Sequence, residues 1–250
     1  MVRASGLAER RRGGIQIYAD CASLEQIERY ATNERVSGFT TNPSLMKKAG
    51  IKNYRAFAKT VLGIVKDKAV SFEVLADDVE TIEKQAREIA SWGENVWVKI
   101  PITSTKGPHL LALIDKLAVA QPPRYEWREP INLNVTAVMT ARQIISALDF
   151  LKETDILSIF VGRITDTGVS ALQALSPALA YKRYSGNKAR ILWASAREIY
   201  NYYQAKEYGV DIITLTPELI EKLPLEGKDL GEYSLETVRQ FHQDGQGIEF

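Results

Sequence analysis

The stretch AVSFEVLADDVETIEKQAREIASWGENVWVKIP, residues 69–101, carries two periods in succession. Ala69–Val74 is short and rich in apolar, β-branched and aromatic residues, which suits a strand. From Asp78 to Ser91 the period changes. Val79, Ile82, Ala86 and Ile89 recur at helical spacing behind an aspartate able to cap the first turn. Val96–Ile100 returns to strand composition. Strand, helix and strand in this compass form a βαβ unit, whose two strands lie parallel.

The same alternation continues in both directions. It predicts further strands at Ile15–Ala19, Gly38–Thr41, Ile131–Val135, Ile156–Val161, Arg190–Ala194 and Asp211–Leu215. It predicts further helices at Ser23–Asn33, Asn53–Lys66, Gly107–Ala120, Thr140–Lys152, Ser170–Tyr184, Ser195–Tyr208 and Pro217–Leu223, with a last amphipathic segment at Ser234–Gln243. Eight unbroken β-then-α units argue for an α/β fold of the closed (β/α)8 kind, a TIM barrel. The expected organisation is a flexible basic tail over residues 1–14 and one barrel domain over 15–250 with an extra C-terminal helix. The competing architecture is an open doubly wound sheet. That fold normally has a glycine-rich turn after its first strand, and here the turn reads ADCAS at 19–23.

Composition narrows the function. In 250 residues, 32 Lys and Arg face 31 Asp and Glu, a net charge of +1, so no bulk field would hold nucleic acid or an acidic membrane. No stretch approaches the roughly 18 apolar residues of a membrane span. The single cysteine, Cys21, leaves no internal disulfide, and with two histidines, His109 and His242, a multi-ligand metal site or a Ser–His–Asp triad is poorly supplied. A reducing, cytoplasmic setting is the simple expectation.

Barrels of this kind do their chemistry at the C-terminal ends of the strands. Asp20, Thr40, Asn42, Glu73, Lys99, Asn132, Asn134, Thr136, Ser158, Arg163, Ser195 and Arg197 stand there in the predicted pattern. Lys99, inside VWVKIP, is the most informative. A lysine with apolar neighbours on both sides suits a strand end whose amine reaches solvent along an apolar stem. It equally suits a desolvated amine able to attack a carbonyl. Asp20 could be a helix cap and Glu73 an ion-pair partner. Around one amine they could instead divide the proton transfers of iminium chemistry. Ser195, read as standing near a helix start, together with Arg163 and Arg197 suggests a phosphate site.

These residues carry a resemblance to the transaldolase family. The pieces are TTNPS at 40–44, SFEV at 71–74, VKIP at 98–101, NVT at 134–136, FVGRI at 160–164 and ASAR at 194–197. The resemblance implies a Schiff-base lysine at Lys99, a proton-transfer aspartate at Asp20, and Glu73 working with Thr136 and a water at the iminium. It implies substrate contacts at Thr40, Asn42, Asn134 and Ser158, and a phosphate set at Arg163, Ser195 and Arg197. The implied reaction moves a dihydroxyacetone unit from a ketose phosphate, fructose 6-phosphate or sedoheptulose 7-phosphate, to an aldose phosphate. It uses no metal or organic cofactor and belongs to the pentose phosphate pathway. The implied partners are small sugar phosphates and further copies of the chain, in pentamers or decamers built through the terminal helix.

Two other readings stay open: a sister-branch aldolase that releases free dihydroxyacetone, and a barrel that binds sugar phosphates without turnover. The sister branch typically has Gln at the Glu73 position and Tyr at the Phe160 position. The chain also departs from the family pattern. Cys21 and Trp193 replace smaller or hydroxylated residues and are expected near the pocket, where they would bear on the acceptor. QPPRYEWREP at 121–130 reads as an insertion on the opposite, N-terminal face.

Overall fold

The computed structural model describes residues 14–107, 110–119 and 129–249. The tail expected over residues 1–14 and the insertion at 121–130 therefore lie almost wholly outside the described residues.

Eight parallel strands close into a barrel in sequence order: β1 (Gln16–Asp20), β2 (Val36–Thr40), β3 (Ala69–Glu73), β4 (Val96–Pro101), β5 (Leu133–Val138), β6 (Ile156–Ile159), β7 (Arg190–Trp193) and β8 (Ile212–Leu215), with β8 pairing back to β1. The helices are α1 (Leu24–Ala31), α2 (Pro43–Lys48), α3 (Tyr54–Ile64), α4 (Val79–Ala90), α5 (Leu111–Ala118), α6 (Ala141–Leu148), α7 (Val161–Thr165), α8 (Ala171–Ser185), α9 (Tyr200–Glu207), α10 (Pro217–Ile220) and α11 (Leu230–Asp244). The (β/α)8 barrel with an added C-terminal helix is thus the fold of the protein.

Local chemistry sets the helix ends. Asp78 accepts from the Thr81 N–H and Asn42 from the Leu45 N–H, both at 2.9 Å. Thr140 and Ser170 form reciprocal capping boxes with Gln143 and Gln173. Gly186 ends α8 in the left-handed region at φ 70°, where a side chain would be strained.

The period of two along each strand divides the core. Val98 and Ile100 of β4 pack with the helices, as do Val70 and Phe72 of β3. Trp97 points inward, into a cluster with Tyr18, Ala69, Ile156, Leu192 and Ile212 that fills the barrel. Gly38 belongs to that packing, because a Cβ there would sit 2.7 Å from the Tyr18 ring. Trp97 donates its indole N–H to the Thr154 carbonyl at 2.8 Å. Lys99, two residues beyond Trp97, shares its inward parity one layer nearer the C-terminal mouth.

Two expectations need correction. Ser195 does not stand at a helix start. It follows β7 at φ 64°, and α9 begins only at Tyr200. The segment between is occupied in packing against α7, so the serine's capping chemistry goes unused. Asn132 precedes β5 and lies at the N-terminal end, away from the mouth. The short helices α2 and α7 carry too few turns to print a period and were not anticipated.

Candidate active site

A cavity of about 450 Å³ opens at the C-terminal ends of the strands. Its lining includes Asp20, Thr40, Asn42, Glu73, Lys99, Thr136, Ser158, Phe160, Arg163 and Ser195. Strand register assembles these groups. Asp20 pairs with Thr40, Glu73 with Lys99, and Pro101 with Thr136 across neighbouring strands.

Lys99 is only 5% exposed. Its Nζ lies 3.0 Å from Glu73 Oε2 and donates to the Thr41 carbonyl at 2.8 Å. The buried cation is therefore paired and hydrogen-bonded, as its burial requires. Glu73 is fixed from behind: Tyr54 donates its hydroxyl to the Glu73 carbonyl at 2.9 Å, and its ring meets Phe72 and Trp92 edge-on.

Asp20 sits on the same cavity. Thr40 donates to Asp20 Oδ1 at 2.8 Å and lies 2.6 Å from the Thr214 hydroxyl. Burial raises the Asp20 pKa above the ordinary carboxylate value, with Lys99 and the Thr40 hydrogen bond pulling it back and Glu73 adding to the rise. A carboxyl so placed holds a proton more readily than a surface aspartate.

Beneath the cavity, Asn134 is fully buried and joins two hydroxyls. It accepts from Ser158 at 2.6 Å and donates to Ser71 at 3.1 Å. It supports the lining without forming part of it. Thr136 is buried, and its hydroxyl has no partner among the described residues. It precedes Ala137, which adopts φ 58° where the β5–β6 register shifts. That kink turns the end of β5 toward the cavity. Asn42 spends its side-chain oxygen on the α2 cap, and its amide nitrogen carries no hydrogen bond among the described residues.

At the rim, Arg163 stands 5.9 Å over the Phe160 ring. Arg197 does not line the cavity; its guanidinium is paired with Asp166. Gly162 lets these parts meet, since a Cβ there would fall 1.6 Å from the Ser195 carbonyl oxygen. Asn201, buried, accepts from the Arg197 N–H at 2.8 Å and holds the loop from below.

Cys21 and Trp193 are not pocket residues. Both are buried in the layer between barrel and helices. Burial pushes the Cys21 thiol up to about 12, with Asp20 and Glu218 adding to the rise, which disfavours the reactive thiolate. Thr214, Ser71, Tyr54, Asp166 and Asn201 are site or support residues that the sequence did not single out. For Thr214 the available signal was a lone hydroxyl inside the apolar run IITL.

Among the described residues, no group of three or more His, Cys, Asp and Glu is placed to hold a metal ion, and no helix is long and apolar enough to cross a membrane.

The profile of the Transaldolase/Fructose-6-phosphate aldolase family matches residues 17–250. A "Probable transaldolase" of Dehalococcoides mccartyi is 31% identical over 210 residues, 84% of this chain and 90% of that one. Another from Roseiflexus sp. (strain RS-1) is 33% identical over 208 residues, covering 83% and 88%. Among solved structures, an HpcH/Hpal aldolase/citrate lyase family protein of Burkholderia cenocepacia J2315 superposes with a TM-score of 0.61 at 12% identity, covering 96% of this chain and 99% of that one. That last likeness is one of fold.

Proposed function

The chain belongs to the transaldolase/fructose-6-phosphate aldolase family, and within it we propose that this protein is a transaldolase of the class I, metal-independent type. It would move a dihydroxyacetone unit from fructose 6-phosphate or sedoheptulose 7-phosphate to an aldose phosphate. The observation that carries the reading is Lys99 Nζ standing 3.0 Å from Glu73 on the cavity that also holds Asp20.

The Lys99 amine, its proton passed to Glu73, adds to the C2 carbonyl of the ketose. The adduct nitrogen gives up one further proton to the C2 oxygen, Glu73 and Thr136, with a water, return the first, and loss of water leaves the iminium. Asp20 takes the C4 hydroxyl proton as the C3–C4 bond breaks. The bonding pair moves into the iminium, giving an enamine and a free aldose phosphate. A second aldose reverses the steps. The iminium is the electron sink, so the step calls on no cofactor.

Thr40, Asn42 and Ser158, with Asn134 behind it, offer hydrogen bonds for substrate hydroxyls. Arg163, Ser195 and Arg197 would hold the phosphate and spend remote binding energy on orientation. Phe160 brings no hydroxyl to the cavity, which favours retention of the enamine over release of dihydroxyacetone. We assign the protein to cytoplasmic carbohydrate metabolism, in the pentose phosphate pathway, acting as a homo-oligomer on small sugar phosphates.

Borohydride reduction in the presence of fructose 6-phosphate should fix a dihydroxyacetone adduct on Lys99, located by peptide mass spectrometry. Lys99→Arg should abolish both adduct and turnover. Labelling elsewhere, or free dihydroxyacetone formed without acceptor as fast as transfer, would overturn the assignment.

A further inference from the structure

The phosphate rim is asymmetric. Arg163 and Ser195 line the cavity, but Arg197 does not. Arg163 stands over Phe160, and among the described residues it has no carboxylate partner. The Arg197 guanidinium is instead engaged by Asp166, the residue that ends α7. Both side chains are about half exposed, at 48% and 53%. Arg197 Nε would lie 3.2 Å from a Cβ on Gly162, so the side chain crosses the face of α7 one residue before Arg163. The backbone of Arg197 is meanwhile anchored by Asn201. Only its side chain need turn to bring the guanidinium from Asp166 to the cavity rim.

Resting on the phosphate-site reading above, we propose that Asp166 is a specificity-determining counter-anion for Arg197. It occupies the guanidinium when no phosphate is present and yields it to an incoming phosphate. A guanidinium keeps its charge, so what changes between the two states is its partner. A phosphate dianion can engage Arg163 and Arg197 together through two planar donor sets. A ligand that recruits only Arg163 gains nothing from Arg197. The tether lowers phosphate affinity by the fraction of time Arg197 is held away. It also recaptures Arg197 when an aldose phosphate departs. That helps a reaction whose first product must leave while the enamine waits.

The test is titration of the full-length chain with inorganic phosphate by calorimetry at constant ionic strength. Asp166→Asn should bind phosphate about two- to fivefold tighter, the range that an exposed ion pair can supply. Arg197→Ala should bind more weakly, and adding Asp166→Asn to it should change nothing further. Unchanged or weaker binding by Asp166→Asn overturns the proposal, as does an Asp166→Asn effect that persists without Arg197. Phosphate binding needs no turnover. A tighter Asp166→Asn in a chain without transfer activity therefore sinks the transaldolase assignment and keeps this one. An active chain whose phosphate affinity ignores Asp166 does the reverse.

Discussion

At Asp20 the demands of the proposed chemistry and of stability oppose each other. The carboxyl is buried, and burial raises its pKa in the folded state. A raised folded value means that the native chain holds the proton more tightly than the unfolded chain. The stabilisation is complete below the ordinary carboxylate value of 3.8 and is lost as pH rises through the folded value. Above the folded value the ionised Asp20 is therefore a liability to the fold, relieved only in part by Lys99 and Thr40. Asp20→Asn should melt higher than the native chain in alkaline buffer, and the gap should narrow as pH falls toward 3.8. Each kcal/mol of difference would show as about 2–4 °C in Tm. Turnover should fall by roughly 10²–10⁴-fold, the usual contribution of a proton-transfer group. Melting curves across this pH range check the first part; a gap that stays constant or turns negative contradicts it. The residue scale also shows what local sequence could carry. Lys99 was legible because its two apolar neighbours face the helices, leaving an inward parity that only function or a barrel plug could use. Trp193 was misread although the parity was available: in Arg190–Ala194 the residues that face the interior are Leu192 and Ala194. Thr214 and Ser71 were hidden because their role depends on partners 174 and 63 residues away.

At the element scale, the proposed phosphate rim depends on α7 and the loop after β7 touching backbone to backbone. Ser195 adopts φ 64° without being glycine, a conformation that costs about 1–2 kcal/mol. Contacts that over-determine the loop hold it there: Gly162 against its carbonyl, Asn201 under the next turn, and the Gly162 N–H to the Ala194 carbonyl at 3.4 Å. Gly162→Ala places a methyl where the Ser195 carbonyl now lies, so the helix and the loop must part. We expect a loss of about 1–3 kcal/mol in denaturant unfolding, the usual cost of overpacking. We also expect a raised KM for phosphate-bearing substrates, with smaller change toward aldehydes that lack phosphate. Equal loss on both substrate classes would show that the contact serves only the fold. This is also where sequence reading failed. A serine before a helical pattern is a sound capping signal, and the segments FVGR and ASAR do meet, through Gly162 and the Ser195 carbonyl. The left-handed detour between β7 and α9 arises from a contact between segments about thirty residues apart, which no local period records. The eight strands, by contrast, were legible because each is a short apolar run beside a helical one.

At the scale of the whole molecule, α11 is the element the barrel does not explain. None of its residues is buried. Leu230, Tyr233, Val238 and Phe241 nevertheless gather on one face at helical spacing, and Phe241 is 67% exposed. A helix capped by Asp229 and fifteen residues long is a marginal structure in water unless its apolar face is covered. The homo-oligomer proposed above supplies that cover, with this face laid against a second copy of the chain. The charges on the other side of the same helix, Glu232, Glu236 and Arg239, would then stay in water outside the covered face. Val238→Asp together with Phe241→Asp should put two charges into the covered face and reduce the sedimenting mass to that of one chain. Since no residue of this face is buried among the described residues, the variant should keep the barrel's circular dichroism. Helical signal from α11 alone should fall, because its stability came from the neighbour. If the native chain already sediments as a monomer, or the double variant keeps the native mass, the face serves something other than self-association.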